Sequence, residues 1–257
     1  MRIAAIHAHP DDCEILAGGT LALLARSGHD LTIVTLSDGD CGTREYSPME
    51  IARIRKEESA RAADLIGAEY MWGGFHDLSI FNEDSSRRRV TGLLRHLQPD
   101  LVLTSSPEDY LADHEMTSLL VRDACFAAGA PNYATFGFSG PPLSKIPHLY
   151  FMDPIEGTNR EGKAIKPDFI VDVTEVFAIK KQMLACHESQ RNWLQSHHGM
   201  DNYLTSMETW TRERGAQGGV RFGEGFRQYM GHPYPRTPLL EQLLEIDPAD
   251  PTEPAAR

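Results

Sequence analysis

Cysteine is scarce in this chain: Cys13, Cys41, Cys125 and Cys186 stand far apart with no Cys-x-x-Cys spacing. That excludes a zinc ribbon and a dense disulfide framework, and the four read as reduced thiols. Basic charge is also short, since 25 Lys and Arg face 37 Asp and Glu, a formal net charge of -12. A chain of that sign has no broad electrostatic hold on nucleic acid or on an anionic membrane surface. The opening MRIAAIHAHPDD has one basic residue and a short apolar stretch cut by histidines and acids, too short for a signal-peptide core or a membrane span. The expectation is a cytoplasmic protein with no membrane insertion and no nucleic-acid partner. Phosphate-binding glycine loops are missing too: LAGGTL lacks the Gly-x-Gly-x-x-Gly spacing, and no Gly-x-x-x-x-Gly-Lys-Ser/Thr run occurs.

What is present is enough for a core: 41% of the 257 residues are hydrophobic. RIAAIHA, DLTIVTLSDGD and LVLTSSP read as buried strands. EILAGGTLALLARSG, MEIARIRKEESARAADLIGA, RRRVTGLLRHLQPD and HEMTSLLVRDACFAAGAPN read as helices between and after them. Strands alternating with helices predict an α/β fold, Rossmann-like and doubly wound, with a mostly parallel sheet and helices on both faces. HLYFMDP and DFIVDVT read as later strands and EVFAIKKQMLACHESQRNWLQSHH as one long helix. GAQGGVRFGEGFRQYMGHPYP, rich in Gly and aromatics, reads as loop in a C-terminal extension. A single α/β domain is expected over residues 1–244, with a mobile, acidic, Pro-rich tail at 245–257.

In such a sheet ligands gather at the carboxyl ends of the strands. Three polar clusters fall on that rim: HPDD after the first strand, SDGDCG after the second and SPEDYLADH after LVLT. His9 and Asp12 stand three apart across a proline-fixed turn, near enough to share one metal ion, and His114 is the best placed third ligand. Asp11, beside a ligand without needing to be one, suits the base that takes a proton from a metal-activated water. The plainer alternative makes Asp11 or Asp12 the N-cap of the following helix and lets His114 cap the next one.

These residues, with RKEESARAADLIGA and KKQMLACHESQ in the same order, resemble the PIG-L/LmbE-like N-acetylglucosaminyl deacetylases over roughly residues 3 to 190. The resemblance implies a Rossmann-like fold, one zinc ion on His9, Asp12 and His114, and Asp11 as general base. It implies hydrolysis of an acetyl or related acyl group on an N-acyl amino sugar or its conjugate, a small-molecule substrate. Other divalent ions suit the same donors. It also brings in a homo-oligomer, since some relatives are trimers or hexamers.

One position departs from the resemblance. The later motif commonly runs His-x-Asp-His, and here it is LADH, so Leu111 stands where a histidine would stabilise an oxyanion or deliver a proton. Loss of one such donor costs roughly 10²- to 10³-fold in rate. His187, His197, His198 and Tyr110 are the candidate substitutes, with His187 favoured as the second catalytic residue because HxSQ is itself part of the resemblance. Asp113 is expected to hold His114 or another neighbouring group, and Asp40 to hold the site together. Arg55 is expected to reach substrate, or else to pair with Glu58 on a solvated helix face. Tyr110 is expected in the substrate pocket, as are Trp72, Phe75 and Tyr203. His76 and Asp77 read as plain loop. Two other functions compete: a Rossmann-like nucleotide-sugar binding protein, and a metal-binding protein with reduced catalysis because of Leu111.

Overall fold

A computed structural model describes residues 1–191 and 202–246. Seven strands form one sheet: β1 (Arg2–His7), β2 (Asp30–Ser37), β3 (Glu69–Phe75), β4 (Leu101–Thr104), β5 (His148–Met152), β6 (Phe169–Asp172) and β7 (Gly223–Gln228). Their order is β3-β2-β1-β4-β5-β7-β6. The first five pair parallel with one another, and β7 pairs antiparallel with both β5 and β6. The helices are α1 (Asp12–Arg26), α2 (Pro48–Asp64), α3 (Asp84–Leu97), α4 (Ala112–Ala127), α5 (Phe177–Ala185), α6 (Asn202–Gln217) and α7 (Leu239–Leu243).

Alternation along the strands splits the core into two layers. Ile3, Ala5, Leu31 and Ile33 face α1, α5 and α6, whereas Ala4, Ile6, Val34 and Leu36 face α3 and α4. Each fully buried Leu, Ile or Val contributes about 1.5–3 kcal/mol through apolar burial. The glycine pair in α1 is a packing device: a Cβ on Gly19 would stand 2.6 Å from the Val173 side chain, so only glycine lets α1 lie this close to the segment after β6. At the start of α2, Ser47 and Glu50 form a capping box with Pro48 at the first helical position.

Two expectations change, and one strand is added that the sequence reading did not include. The Gly- and aromatic-rich stretch taken as loop contains β7, which lies between β5 and β6 inside the sheet. Its sequence, GEGFRQ, has no β-branched residue, and its glycines are forced by close neighbours such as Asp153 against Gly225. The long helix after residue 174 breaks, with α5 ending at Ala185. Strand β3, EYMWGGF, carries two glycines that hide it from a strand pattern. His197 and His198, and the tail from residue 247, lie outside the described residues. Among the described residues no helix is long and apolar enough to cross a membrane.

Candidate active site

Because β1 to β5 are parallel, their carboxyl ends bring five loops to one edge of the sheet. A cavity of about 620 Å³ opens there, and His9, Asp11, Asp12, Arg55, Asp77, Tyr110, Leu111, His114 and Tyr203 stand on its wall. Trp72 and Phe75 are not among its lining. Instead Trp72 Nε1 donates to the Phe75 carbonyl at 3.0 Å.

At its floor three ligand atoms form a nearly equilateral triangle. His9 Nδ1 lies 3.3 Å from Asp12 Oδ2 and 3.2 Å from His114 Nε2, and His114 Nε2 lies 3.4 Å from Asp12 Oδ2. Three donors around one zinc ion at about 2.0–2.2 Å in tetrahedral geometry stand about 3.3–3.6 Å apart. The residues therefore fit a metal, with a face left open to the cavity. A second histidine competes for the third corner, since His7, Asp12 and His114 also offer ligand atoms within 4.8 Å of one another. His7 is fully buried and is not on the cavity wall. Its Nδ1 sits 2.7 Å from Asp12 Oδ2 and 2.9 Å from the Ala8 N–H. His7 Nδ1 accepts the Ala8 N–H and lies against Asp12 from behind.

Each imidazole of the triangle has a carboxylate on its far side. His114 Nδ1 is 3.1 Å from Asp109 Oδ1, and His9 Nε2 is 3.3 Å from Asp113 Oδ2, which also accepts the Leu78 N–H at 2.7 Å. The Asp113 hydrogen bond is of the kind that fixes ring orientation and raises ligand basicity, whereas Asp109 faces His114 Nδ1 as a neighbouring charge without a hydrogen bond. Asp113, expected to hold His114 or another neighbouring group, lies against His9. Asp109, wholly buried, was missed. Its signal was in SPEDYLADH, where it stands five residues before the ligand. Burial opposes charge on His9, but Asp113 and Asp12 outweigh it and raise the imidazole to about 10. Burial also opposes charge on Asp12, yet His7 and His114 beside it hold the carboxyl well below the usual range.

Asp11 neither caps α1 through its side chain nor faces solvent. It occupies the N-cap position with φ 103° and makes no side-chain cap bond. A non-glycine residue in that left-handed region costs about 1–3 kcal/mol and persists only where its surroundings fix it. The fixing groups are explicit: Tyr203 Oη donates to Asp11 Oδ2 at 2.6 Å, and Arg55 donates to the Pro10 carbonyl at 2.6 Å. Burial pushes the Asp11 carboxyl up, with Arg55 beside it pulling the other way. Arg55 Nη2 lies 3.5 Å from Asp11 Oδ2, so this arginine is buried behind the turn rather than spread on a solvated helix face. Glu58 is engaged elsewhere, accepting from Ser189 N and Oγ at 2.8 and 2.6 Å. Gly39, at φ +72°, packs against the Arg55 side chain, where a Cβ would come within 2.4 Å of Nη1.

The remaining expectations divide. His187 is fully buried, 3.4 Å from Glu14, and is not on the cavity wall. Tyr110 stands on the rim with its ring edge-on to His114, centroids 5.5 Å apart. Burial and the nearby Asp12 raise its phenol above the usual range, so it remains a donor. Asp40 accepts the Asp77 N–H at 3.0 Å and stays one layer outside the triangle. Asp77, expected as plain loop, lines the cavity with Oδ1 4.0 Å from His9 Nε2.

The chain is similar to known proteins. Residues 4–125 match the family described as PIG-L, GlcNAc-PI de-N-acetylase. The diacetylchitobiose deacetylase of Thermococcus kodakarensis is 31% identical over 195 residues, 74% of this chain and 70% of that protein. The 4-oxalmesaconate hydratase of Pseudomonas putida is 27% identical, covering 73% of each. The solved N,N'-diacetylchitobiose deacetylase of Pyrococcus horikoshii superposes with a TM-score of 0.74 at 28% identity, over 92% of this chain and 88% of that one.

Proposed function

The chain belongs to the PIG-L family, and from that premise we propose that it removes an acetyl or related acyl group from an N-acylated amino sugar or its conjugate. The observation that carries the reading is the triangle of His9, Asp12 and His114 with Asp11 beside it on a cavity large enough for a sugar. His9 is preferred to His7 as the third donor because His9 faces the cavity and His7 does not. Two imidazoles and a carboxylate suit zinc, one ion per chain. The four cysteines are unpaired, which supports a reducing, cytoplasmic setting.

When bound, the metal supplies Lewis acidity, polarising the amide carbonyl and acidifying water. Asp11 takes the proton of the attacking water, holds it on its carboxyl and returns it to the departing amine nitrogen. Tyr203 and Arg55 keep that carboxylate on station through the contacts to Asp11 and Pro10. Asp113 holds the His9 imidazole, and Asp109 lies beside that of His114. With Leu111 unable to donate, Tyr110 is the phenol on the rim that reaches the developing oxyanion, and Leu111 leaves an apolar wall for the acyl methyl.

The test is amine release from N-acetylglucosamine and N,N'-diacetylchitobiose by zinc-loaded protein. Turnover that Asp11→Asn abolishes while retaining zinc supports the reading. Metal-loaded protein inert toward both, and toward N-acylated thiol conjugates, overturns it. The hydratase relative favours a second reading, addition of water across a carbon–carbon double bond with Asp11 in the same proton-handling place. Loss of 4-oxalmesaconate with no amine release from any amide would select it.

A further inference from the structure

Next to the active site, on the outer side of the Ser37–Gly42 loop, lies a second group of metal-type donors that the deacetylase chemistry does not use. Asp38, Asp40 and His76 each offer one ligand atom, all within 4.8 Å of one another. His76 Nδ1 is 2.9 Å from Asp40 Oδ2 and 3.5 Å from Asp38 Oδ1. The three line a separate cavity of about 600 Å³ between the loop and α2.

Acidic surface clusters are common, and what sets this one apart is Asp38. Its side chain is only 4% exposed, it lines the cavity, and its Oδ1 has no hydrogen-bond partner. A buried carboxylate oxygen left unsatisfied is costly, and its retention calls for an occupant. The other oxygen already has a cation: Lys56 Nζ lies 3.5 Å from Asp38 Oδ2 and is held over the Trp72 ring, 3.5 Å from its centroid. Arg53 and Glu57, also on this cavity, pair with each other at 2.8 Å and so do not neutralise the donors. Asp38 and Asp40 face one lysine at this cavity, so the carboxylates outnumber the cation that pairs with them. One imidazole nitrogen with two carboxylate oxygens is a donor set for a divalent transition-metal ion.

We infer that Asp38, Asp40 and His76 form a second divalent-cation site, distinct from the His9, Asp12 and His114 triangle. The two communicate through one side chain. Asp40 accepts the Asp77 N–H through Oδ1 and faces the proposed ion with Oδ2, while Asp77 takes the Ser37 hydroxyl at 2.6 Å and stands 4.0 Å from His9. An ion there ties the loop after β2 to the loop after β3, both of which reach the active-site cavity.

Equilibrium dialysis of the full chain against zinc chloride alone reads the stoichiometry. The wild type binds two ions, Asp12→Ala one, His76→Ala one, and the double variant none. His76 is 64% exposed, so its replacement leaves the fold intact, and Asp38→Asn gives an independent second loss. Unchanged stoichiometry in both His76→Ala and Asp38→Asn overturns the inference. If the wild type binds one ion that Asp12→Ala keeps and His76→Ala loses, this site stands and the triangle reading fails. One ion lost in Asp12→Ala and kept in His76→Ala is the reverse.

Discussion

Helix α1 leans on two buried ionic clusters that follow opposite rules. At mid-helix Lys180 Nζ donates to Glu224 Oε1 at 2.6 Å and to the Ile15 carbonyl at 2.7 Å, while Glu224 accepts the Gly19 and Thr20 N–H groups at 2.8 and 2.7 Å. Both charges are paired and hydrogen-bonded besides, so the cluster is closed. At the N-terminal end, His7, His9, Asp11, Asp12 and His114 crowd together around a left-handed backbone, and three of their ligand atoms converge on one point open to a cavity. Burial of charge is therefore not in itself a sign of function. Convergence of unspent donor capacity on an accessible point is.

The comparison breaks first at Asp12. Replacing it with Ala removes the active-site ion and takes amine release to the uncatalysed background, read by elemental analysis and assay on one sample. Asp11→Asn comes next: kcat falls by roughly 10²- to 10⁴-fold while the ion stays, which separates the proton carrier from its metal-holding neighbour. At the closed cluster Lys180→Met should do the converse. It leaves Glu224 charged and buried, lowers unfolding free energy by about 3–5 kcal/mol in urea titration, and leaves zinc affinity unchanged.

Smaller effects sharpen the contrast. Tyr203 donates to Asp11 and so favours its ionised form. Tyr203→Phe raises the Asp11 pKa, moves the acid limb of the kcat/KM profile to higher pH and lowers kcat roughly tenfold, in line with loss of a charge-assisted hydrogen bond. His9 gives its signal in stability against pH and not in rate. Its folded pKa of about 10 lies above the ordinary 6.5, so in metal-free protein the protonated ring stabilises the fold fully below pH 6.5, and that contribution is lost as pH rises toward 10. Unfolding of metal-free wild type and His9→Gln should converge over that interval. Zinc binding near neutral pH should release a proton from His9, seen as a buffer-dependent heat in calorimetry.

The sequence made the parallel half of the sheet and the HPDD turn legible because both are local: apolar strands ended by polar loops, and donors three residues apart. It pointed to His114 through the rim argument. It hid β7 and β3, whose glycines answer to tertiary neighbours and carry no strand pattern of their own. Roles set by contacts distant in sequence were hidden too. Tyr203 reaches Asp11 across 192 positions, and Asp109, though it stands in the same SPEDYLADH run as His114, is set apart from the other acids of that loop by its burial beside the imidazole. His187 was favoured because HxSQ is part of the resemblance, and its burial beside Glu14 is likewise set by a contact distant in sequence.

The most direct measurement is an anomalous-difference map from zinc-soaked crystals collected at the zinc edge. A peak is expected about 2.0–2.2 Å from His9 Nδ1, Asp12 Oδ2 and His114 Nε2, with Asp11 beside it and not bonded. No peak between those three atoms, or an ion bound to His7 with His9 still turned onto Asp113, would contradict it.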